Sequence, residues 1–328
     1  MAQTPFTTLI DATQGFVVTS CVCAVAQAGI ADALDDGPKT ALDLATATGT
    51  HAGALGRILR VLCSVGIFEA RDGSYVHTPA SRLLRKDHPQ SMRGYILAVM
   101  PLFWEPFSRL DYSLSTGKPA FEEMHGIGVF QYFAENPAMA RIFDAAMTGK
   151  AQGQIAGVVA HYDFSQFTTI ADIGGGRGHL LQAVLQRAPK ARGILFDLPH
   201  VVAAAKGAAS DRLKLQGGDF FNDSMPVADA YTIMQVIHDW ADAEATKILS
   251  GIRRAAPAHA KLLLIEMLIP ETPMRDVAKE TDLIMLVFLH SRERTRSEYQ
   301  QLLAGAGFRL DRTIDIGQST AILEASPI

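Results

Sequence analysis

The chain has 328 residues, 48% of them hydrophobic and 20% charged, with a net charge of −4. That length predicts two domains of ordinary globular composition, and the slightly acidic balance disfavours a general nucleic-acid binder, which carries a basic surface. Three cysteines, Cys21, Cys23 and Cys63, form no framework spacing; they read as small buried apolar residues in a reducing cytoplasm rather than as a disulfide scaffold.

From Phe6 to about Leu34 the pattern is helical and unusually apolar. The stretch Ala12 to Ala31 carries no charge, but Thr13, Gln14, Thr19, Ser20 and Gln27 interrupt it, and the first ten residues hold no Lys or Arg. It therefore lacks a signal-peptide n-region and is less apolar than the roughly 20 residues of a membrane span. We read it as a helix buried between subunits. After a loop at Pro38 and Lys39, Thr40 caps a short helix that Gly49 ends. A second helix, Ala52 to about Val65, places Leu55, Ile58, Leu59 and Leu62 on one face and stops at Gly66. Two short apolar runs around Asp72-Gly73 then predict a hairpin. Helix, turn, helix, hairpin is a winged-helix pattern. Arg57 and Arg60 are the full cations of its second helix, and the hairpin mixes Glu69, Arg71 and Asp72. Without a phosphate-tracking stripe, packing or dimerisation is expected rather than DNA binding.

Residues 88–160 are helical and rich in large side chains, Trp104, Phe143 and Met147 among them; core packing and the lining of an aromatic pocket both fit. From about Thr168 strands and helices alternate, which predicts an α/β domain with a parallel sheet covered on both faces. RLKLQGGDFF is read as one short strand. The last two strands, RLDRTIDI and STAILEA, are separated by Gly317 and so short a link pairs them antiparallel.

Within this domain Asp172 precedes Gly174, Gly176 and Gly178 in DIGGGRG. Glycines there allow positive φ and close approach of a ligand, and the following helix N-terminus favours an anion. The spacing is Gly-x-Gly-x-Gly, and His179 breaks the dinucleotide fingerprint, which weakens a nicotinamide-dehydrogenase reading. Asp197 ends the next strand about 20 residues on, where a carboxylate can accept ribose hydroxyls. Asp219 and Phe220 end the third strand, a carboxylate beside an aromatic, suited to an adenine. Each Asp alone also suits a cap or turn; three at successive strand ends point to a ligand. Asp172 can orient the loop or meet an ammonium.

His238 lies just after the fourth strand, on the carboxyl side of the sheet where open α/β folds bind ligands. Glu266 ends the fifth strand and Glu293 sits in Arg292-Glu293-Arg294-Thr295. A histidine between two carboxylates can be fixed in tautomer and stabilised as imidazolium. The plain alternatives are a turn histidine, and a surface pair of Glu293 with Arg292 or Arg294; Glu280 and Asp282 compete for the acidic role. Trp240 reads as an anchor of the turn.

With DIGGGRG, FDLP, GGDFF, VIHDW, the Glu266 strand and RERT followed by LLAGAGF, the chain resembles the caffeate, hydroxyindole and phenazine O-methyltransferase family over nearly its whole length. The resemblance implies a Rossmann-like class I methyltransferase sheet with an antiparallel last strand behind an N-terminal α-helical winged-helix dimerisation domain. The expected boundaries are 1–100 for dimerisation, 101–160 for a helical linker contributing to the substrate pocket, and 161–328 for the methyltransferase domain. It implies S-adenosylmethionine at Asp172, Gly174, Gly176, Asp197, Leu198, Asp219, Phe220 and Gln235, with S-adenosylhomocysteine as product and no metal. His238 is implied as base, flanked by Glu266 and Glu293, with Trp104, Phe143, Met147, Asp239, Met285 and Leu289 lining the substrate pocket. A cytoplasmic homodimer is implied, with an aromatic or polycyclic small molecule as substrate and neither nucleic acid nor membrane as partner. Two departures stand out. Met234 and Gln235 occupy the stretch where plant members carry a cofactor-holding Lys. The segment from Asp282 to Glu293 is also short, and this favours a bacterial-type polycyclic or heteroaromatic substrate. The competing readings are N-methylation, a non-methylating reaction of the same cofactor, and a winged-helix regulator that senses a small molecule.

Overall fold

A computed structural model describes residues 4–35 and 37–328. They divide into two compact units, Met1–Ser108 with Phe130–Lys150, and Arg109–Val129 with Ala151–Ile328.

In the first unit the expected single N-terminal helix is broken. Helix Pro5–Thr13 ends at Gln14, helix Gly15–Ala28 ends at Gly29, and Ile30–Leu34 follows. Gly29 takes φ 69°, a left-handed conformation that glycine enters without a Cβ penalty, so the chain turns there. Pro5–Thr13 buries none of its residues, and Phe6, Leu9 and Phe16 are 73%, 69% and 55% exposed. By length and composition alone Pro5–Ala28 is apolar enough to cross a membrane. Thr40 caps helix Ala41–Thr48 through a reciprocal box with Asp43, and helix Ala52–Ser64 follows. Leu44, Leu59, Leu62 and Phe68 are its buried centre, each side chain contributing about 1.5–3 kcal/mol. Strands β1 (Phe68–Arg71) and β2 (Ser74–His77) form the antiparallel hairpin, with Asp72 at φ 48° and Gly73 at φ 78°. Two successive positive φ values are what a two-residue hairpin turn requires. Residues 88–160 are not one run of regular helix. A π-helical turn, Val99–Trp104, interrupts helix Arg93–Ala98; Pro101 inside it lacks the amide that a regular α-helical turn would use.

The second unit is built on a sheet whose strands are β3 (Thr169–Ile173), β4 (Arg192–Asp197), β5 (Leu213–Gly217), β6 (Ala230–Met234), β7 (Lys261–Ile269), β8 (Arg294–Thr295), β9 (Phe308–Gly317) and β10 (Thr320–Pro327). Their order is β5-β4-β3-β6-β7-β10-β9, with the two-residue β8 beside β7. Strands β3 to β7 run parallel, and β10 is antiparallel to both β7 and β9. The antiparallel end is thus as the short Gly317 link predicts; that turn places Gly317, Gln318 and Ser319 all at positive φ. Strand β5 stops at Gly217, shorter than the sequence reading, because Gly218, Asp219 and the residues after them turn back through an Asp219 N–H bond to the Asp223 carboxylate. The chain order reverses between β3 and β6. Such a switch leaves a crevice beyond the carboxyl ends of the strands.

Candidate active site

Two structures meet at that crevice, the loop after β3 and the turn after β6. The loop is shaped by its glycines: Gly174, Gly176 and Gly178 take φ 67°, 58° and 77°. A Cβ on Gly175 would strike the Asp172 carboxylate and approach Leu195 to 2.5 Å, and a Cβ on Gly174 would lie 3.0 Å from a Val236 methyl. The glycine loop therefore packs directly on the start of the β6 turn. Asp197 at the end of β4 ties the loop down. One of its oxygens accepts the Gly176 N–H at 2.8 Å and the other the Leu198 N–H at 2.7 Å, leaving lone pairs for further donors.

Asp172 is 1% exposed. Its Oδ1 accepts the Thr232 hydroxyl at 2.7 Å, while Oδ2 is buried with no hydrogen-bond partner. Burial pushes this carboxyl up to about 7, against the Thr232 bond and with help from the Asp197 charge. Asp219 accepts the Phe221 N–H at 2.9 Å and the Asn222 amide at 2.7 Å, so its carboxylate does the work of a turn former in this structure. Phe220 packs edge-on to Trp240 at 5.8 Å, and Trp240 lies 4.7 Å from Phe221; Trp240 anchors the turn, as its sequence setting predicts.

The other side holds the imidazole. His238 sits in a 3₁₀ turn, Ile237–Asp239, and is 9% exposed. Its Nδ1 bonds Glu293 Oε1 at 2.8 Å, and its Nε2 lies 3.5 Å from Asp239 Oδ1. Glu293 is fully buried, its N–H donates to Asp282 at 2.9 Å, and its second oxygen has no partner. Asp282 thus supports Glu293 rather than replacing it. Glu280 instead pairs with Arg275 at 2.6 Å. Glu266 is the one carboxylate in KLLLIEMLI and lies inside the strand, which runs on to Ile269, rather than at its end as expected; Leu262 to Ile265 before it are fully buried. Burying a carboxylate costs several kcal/mol unless donors compensate. Three do: the N–H groups of Val236 and Ile237, at 3.2 and 2.9 Å, and the Gln235 amide at 3.2 Å. Gln235, assigned from sequence to the cofactor, contacts Glu266 here, at a strained φ of 53°.

Burial alone would depress the His238 pKa; the hydrogen bond to Glu293 and the charges of Glu266, Asp239 and Glu293 outweigh it and push the imidazole up to about 9. Burial also pushes Glu266 up to about 7. The donor atoms of His238, Glu266 and Glu293 all lie within 4.8 Å of one another, so three residues far apart in sequence converge. With Nδ1–H donating to Glu293, the neutral ring leaves Nε2 as its acceptor.

Of the expected pocket residues, Asp239, Met285 and Leu289 belong to this unit. Met285 is buried at the end of helix Val277–Phe288, and the Leu289 N–H closes on its carbonyl at 2.8 Å. Trp104, Phe143 and Met147 belong to the first unit; Trp104 is 38% exposed and Phe143 stacks on Phe133 at 4.8 Å. Sequence reasoning missed Arg294. It does not pair with Glu293; it is buried against the carbonyls of Ile237 and Trp240 and pairs with the exposed Asp242, while Arg292 pairs with Glu298.

Comparison with known proteins gives a consistent picture. Residues 107–309 match the model of the O-methyltransferase domain and residues 10–87 that of the O-methyltransferase dimerisation domain. The chain is 39% identical to phenazine O-methyltransferase PhzM of Lysobacter antibioticus, covering 98% of this chain and 96% of that one. It is 38% identical to 8-amino-8-demethylriboflavin N,N-dimethyltransferase of Streptomyces davaonensis, over 92% and 89%. Among solved structures, CalO1, a methyltransferase in calicheamicin biosynthesis in its SAH-bound form, superposes with a TM-score of 0.90 at 33% identity, covering 98% of this chain and 97% of that one.

Proposed function

Because this chain belongs to the O-methyltransferase family and is an S-adenosylmethionine-dependent enzyme of the secondary-metabolite type, we propose that it methylates a hydroxyl on an aromatic or polycyclic small molecule, with His238 as general base. The observation that carries the proposal is the buried imidazole whose Nδ1 is held at 2.8 Å by a fully buried carboxylate, which leaves Nε2 to take a proton.

The residues fit the cofactor. The left-handed glycines shape the loop, and a Cβ on Gly176 would meet nothing within 4 Å, so that position leaves open space beside the main chain for a ligand. The orphaned Asp172 Oδ2 offers a buried acceptor to an ammonium, and a cation there favours the charged carboxylate that burial disfavours. We assign its binding to Asp172, Gly174, Gly176, Asp197 and Leu198, with Asp219 and Phe220 at the next strand end and Gln235 acting through Glu266. When bound, the group supplies a methyl on a positively charged sulfur.

The remaining work belongs to the side chains. A phenol has a pKa near 10 and a free imidazole about 6.5. With His238 raised to about 9, the uphill gap to a phenol shrinks to about one unit, or about 1.4 kcal/mol. Proton removal as the new bond forms then needs little driving force. Glu293 fixes the tautomer and, with Glu266, stabilises the imidazolium that results. Asp239, Met285 and Leu289 are proposed to line the acceptor pocket, and the exposed Phe6, Leu9 and Phe16 to be covered by a second copy of the chain.

Incubation with S-adenosylmethionine and a panel of phenolic, phenazine-like and quinone-like acceptors should yield products heavier by one methyl, attached to oxygen by NMR. A panel methylated only on nitrogen would overturn the hydroxyl assignment. That is the second reading, favoured by the N,N-dimethyltransferase relative.

A further inference from the structure

We infer that Arg294 is a positioning residue for His238, holding the turn that carries the imidazole through its main chain. The inference rests on the reading of His238 as base and adds a second grip on it. Arg294 is 1% exposed. Its guanidinium donates from Nη1 to the Ile237 carbonyl at 3.2 Å and from Nη2 to the Trp240 carbonyl at 2.8 Å. These two carbonyls bracket His238 and Asp239. The fork closes on Asp242 Oδ1 from Nε at 3.0 Å and Nη2 at 2.7 Å, and its carbon lies 5.7 Å from the centre of the Tyr299 ring.

The neighbours of Arg294 grip the same turn. The Arg292 N–H donates to the His238 carbonyl at 3.3 Å, and Glu293 takes the ring at 2.8 Å. Three consecutive residues thus hold the main chain at His238, its side chain, and the carbonyls on either side. The turn needs this. It is one 3₁₀ turn of three residues, closed by a Trp240 N–H bond to Ile237 of 3.3 Å, and such turns have poor internal hydrogen-bond geometry. A buried guanidinium is unfavourable unless its donors and charge are met. Its carboxylate partner among the described residues, Asp242, has a side chain 65% exposed and is therefore screened. The carbonyls of the turn are the buried part of its environment. Lysine cannot reproduce the arrangement, because a single ammonium does not span two carbonyls and a carboxylate as a planar fork does.

The groups that face His238 are Glu293 before β8, Glu266 from β7 and Asp239 on its own turn, with Asp282 of helix Val277–Phe288 behind Glu293; Arg294 and Tyr299 lie beyond the turn. Loosening the turn weakens the Glu293 bond that holds the imidazole pKa up, so the pH limb of kcat/KM moves down. The test compares Arg294→Met, Arg294→Lys and Asp242→Asn with wild type, using kcat, KM for S-adenosylmethionine, the pH profile and Tm. Misplacement of about 1 Å costs on the order of a hundredfold, so Arg294→Met should lose roughly ten- to a hundredfold in kcat with the cofactor KM little changed. Its acidic limb should move to lower pH. Arg294→Lys should recover part of the loss. Asp242→Asn, at the surface, should move the limb in the same direction by less, and it carries the test together with Arg294→Lys if the methionine variant does not fold. A fall in kcat with an unmoved limb, or a matching loss of cofactor affinity, overturns the inference. So does full activity of Arg294→Met. A fully active His238→Gln enzyme overturns the base reading itself, and the inference with it.

Discussion

On the glycine side of the crevice the geometry is set by the main chain; on the imidazole side it is set by side chains. Gly174, Gly176 and Gly178 donate their N–H groups to Phe196 O, Asp197 and Gly175 O, all within two adjacent strand ends. His238, Glu266 and Glu293 come from a turn, a central strand and the segment after a helix, and each is buried. A main-chain cradle tolerates little change in volume but little depends on its charge. A buried charged cluster is the reverse: its energetics hinge on every partner, because low dielectric strengthens each interaction and penalises each missing one.

Breaking the imidazole side should have the largest effect. His238→Gln should lower kcat by about 10²–10⁴-fold while cofactor affinity, measured by calorimetry, stays near wild type; a loss under tenfold with an unchanged pH profile removes His238 as the base. Glu293→Gln should lower kcat on the order of tenfold or more. The sign of its pH effect follows from the shift. The neutral imidazole is the active form, so wild-type kcat/KM should climb with pH toward about 9. Loss of the Glu293 charge lowers the imidazole pKa and moves that rise to lower pH. A rise already complete near pH 6.5 in wild type would contradict the cluster's electrostatics.

On the other side, Gly175→Ala should act by volume alone. Its Cβ meets Asp172 and Leu195, and overpacking of this kind costs about 1–3 kcal/mol, read as weaker cofactor binding and a lower Tm with an unmoved pH limb. A shifted limb would show that the two sides are not separable in this way. The smallest expected effect is that of a chelator. Because hydrogen bonds among protein groups account for the clustering of His238, Glu266 and Glu293, EDTA should leave kcat unchanged; activity lost to EDTA and restored by a divalent ion would give the cluster a different role.

The same contrast governs what could be read in advance. The glycine loop and Asp197 are visible in the sequence because their partners are neighbours in chain and sheet, and because glycine announces positive φ. The antiparallel end was legible at Gly317 for the same reason. His238 was legible as a type just after a strand, Glu266 as a carboxylate on the next strand and Glu293 as one before a helix, but their contacts were not, and Glu266 lies inside its strand rather than at the end. The hydrogen bond of Glu293 to the imidazole spans 55 residues, and two of the donors to Glu266 are main-chain N–H groups that carry no residue signature. Arg294 was opaque because it binds carbonyls, which every residue has. The N-terminal breaks at Gln14 and Gly29 escaped a reading based on apolar content, since the composition continues across them while the backbone does not.

The contact of Gly174 with Val236 bears on any attempt to borrow parts between relatives. A loop grafted from another enzyme with a residue larger than glycine at 174 would bring its Cβ to 3.0 Å from a Val236 methyl. Chimeras should therefore exchange the two segments together and keep glycine at 174, because its φ of 67° strains any other residue even where the side chain at 236 is made smaller.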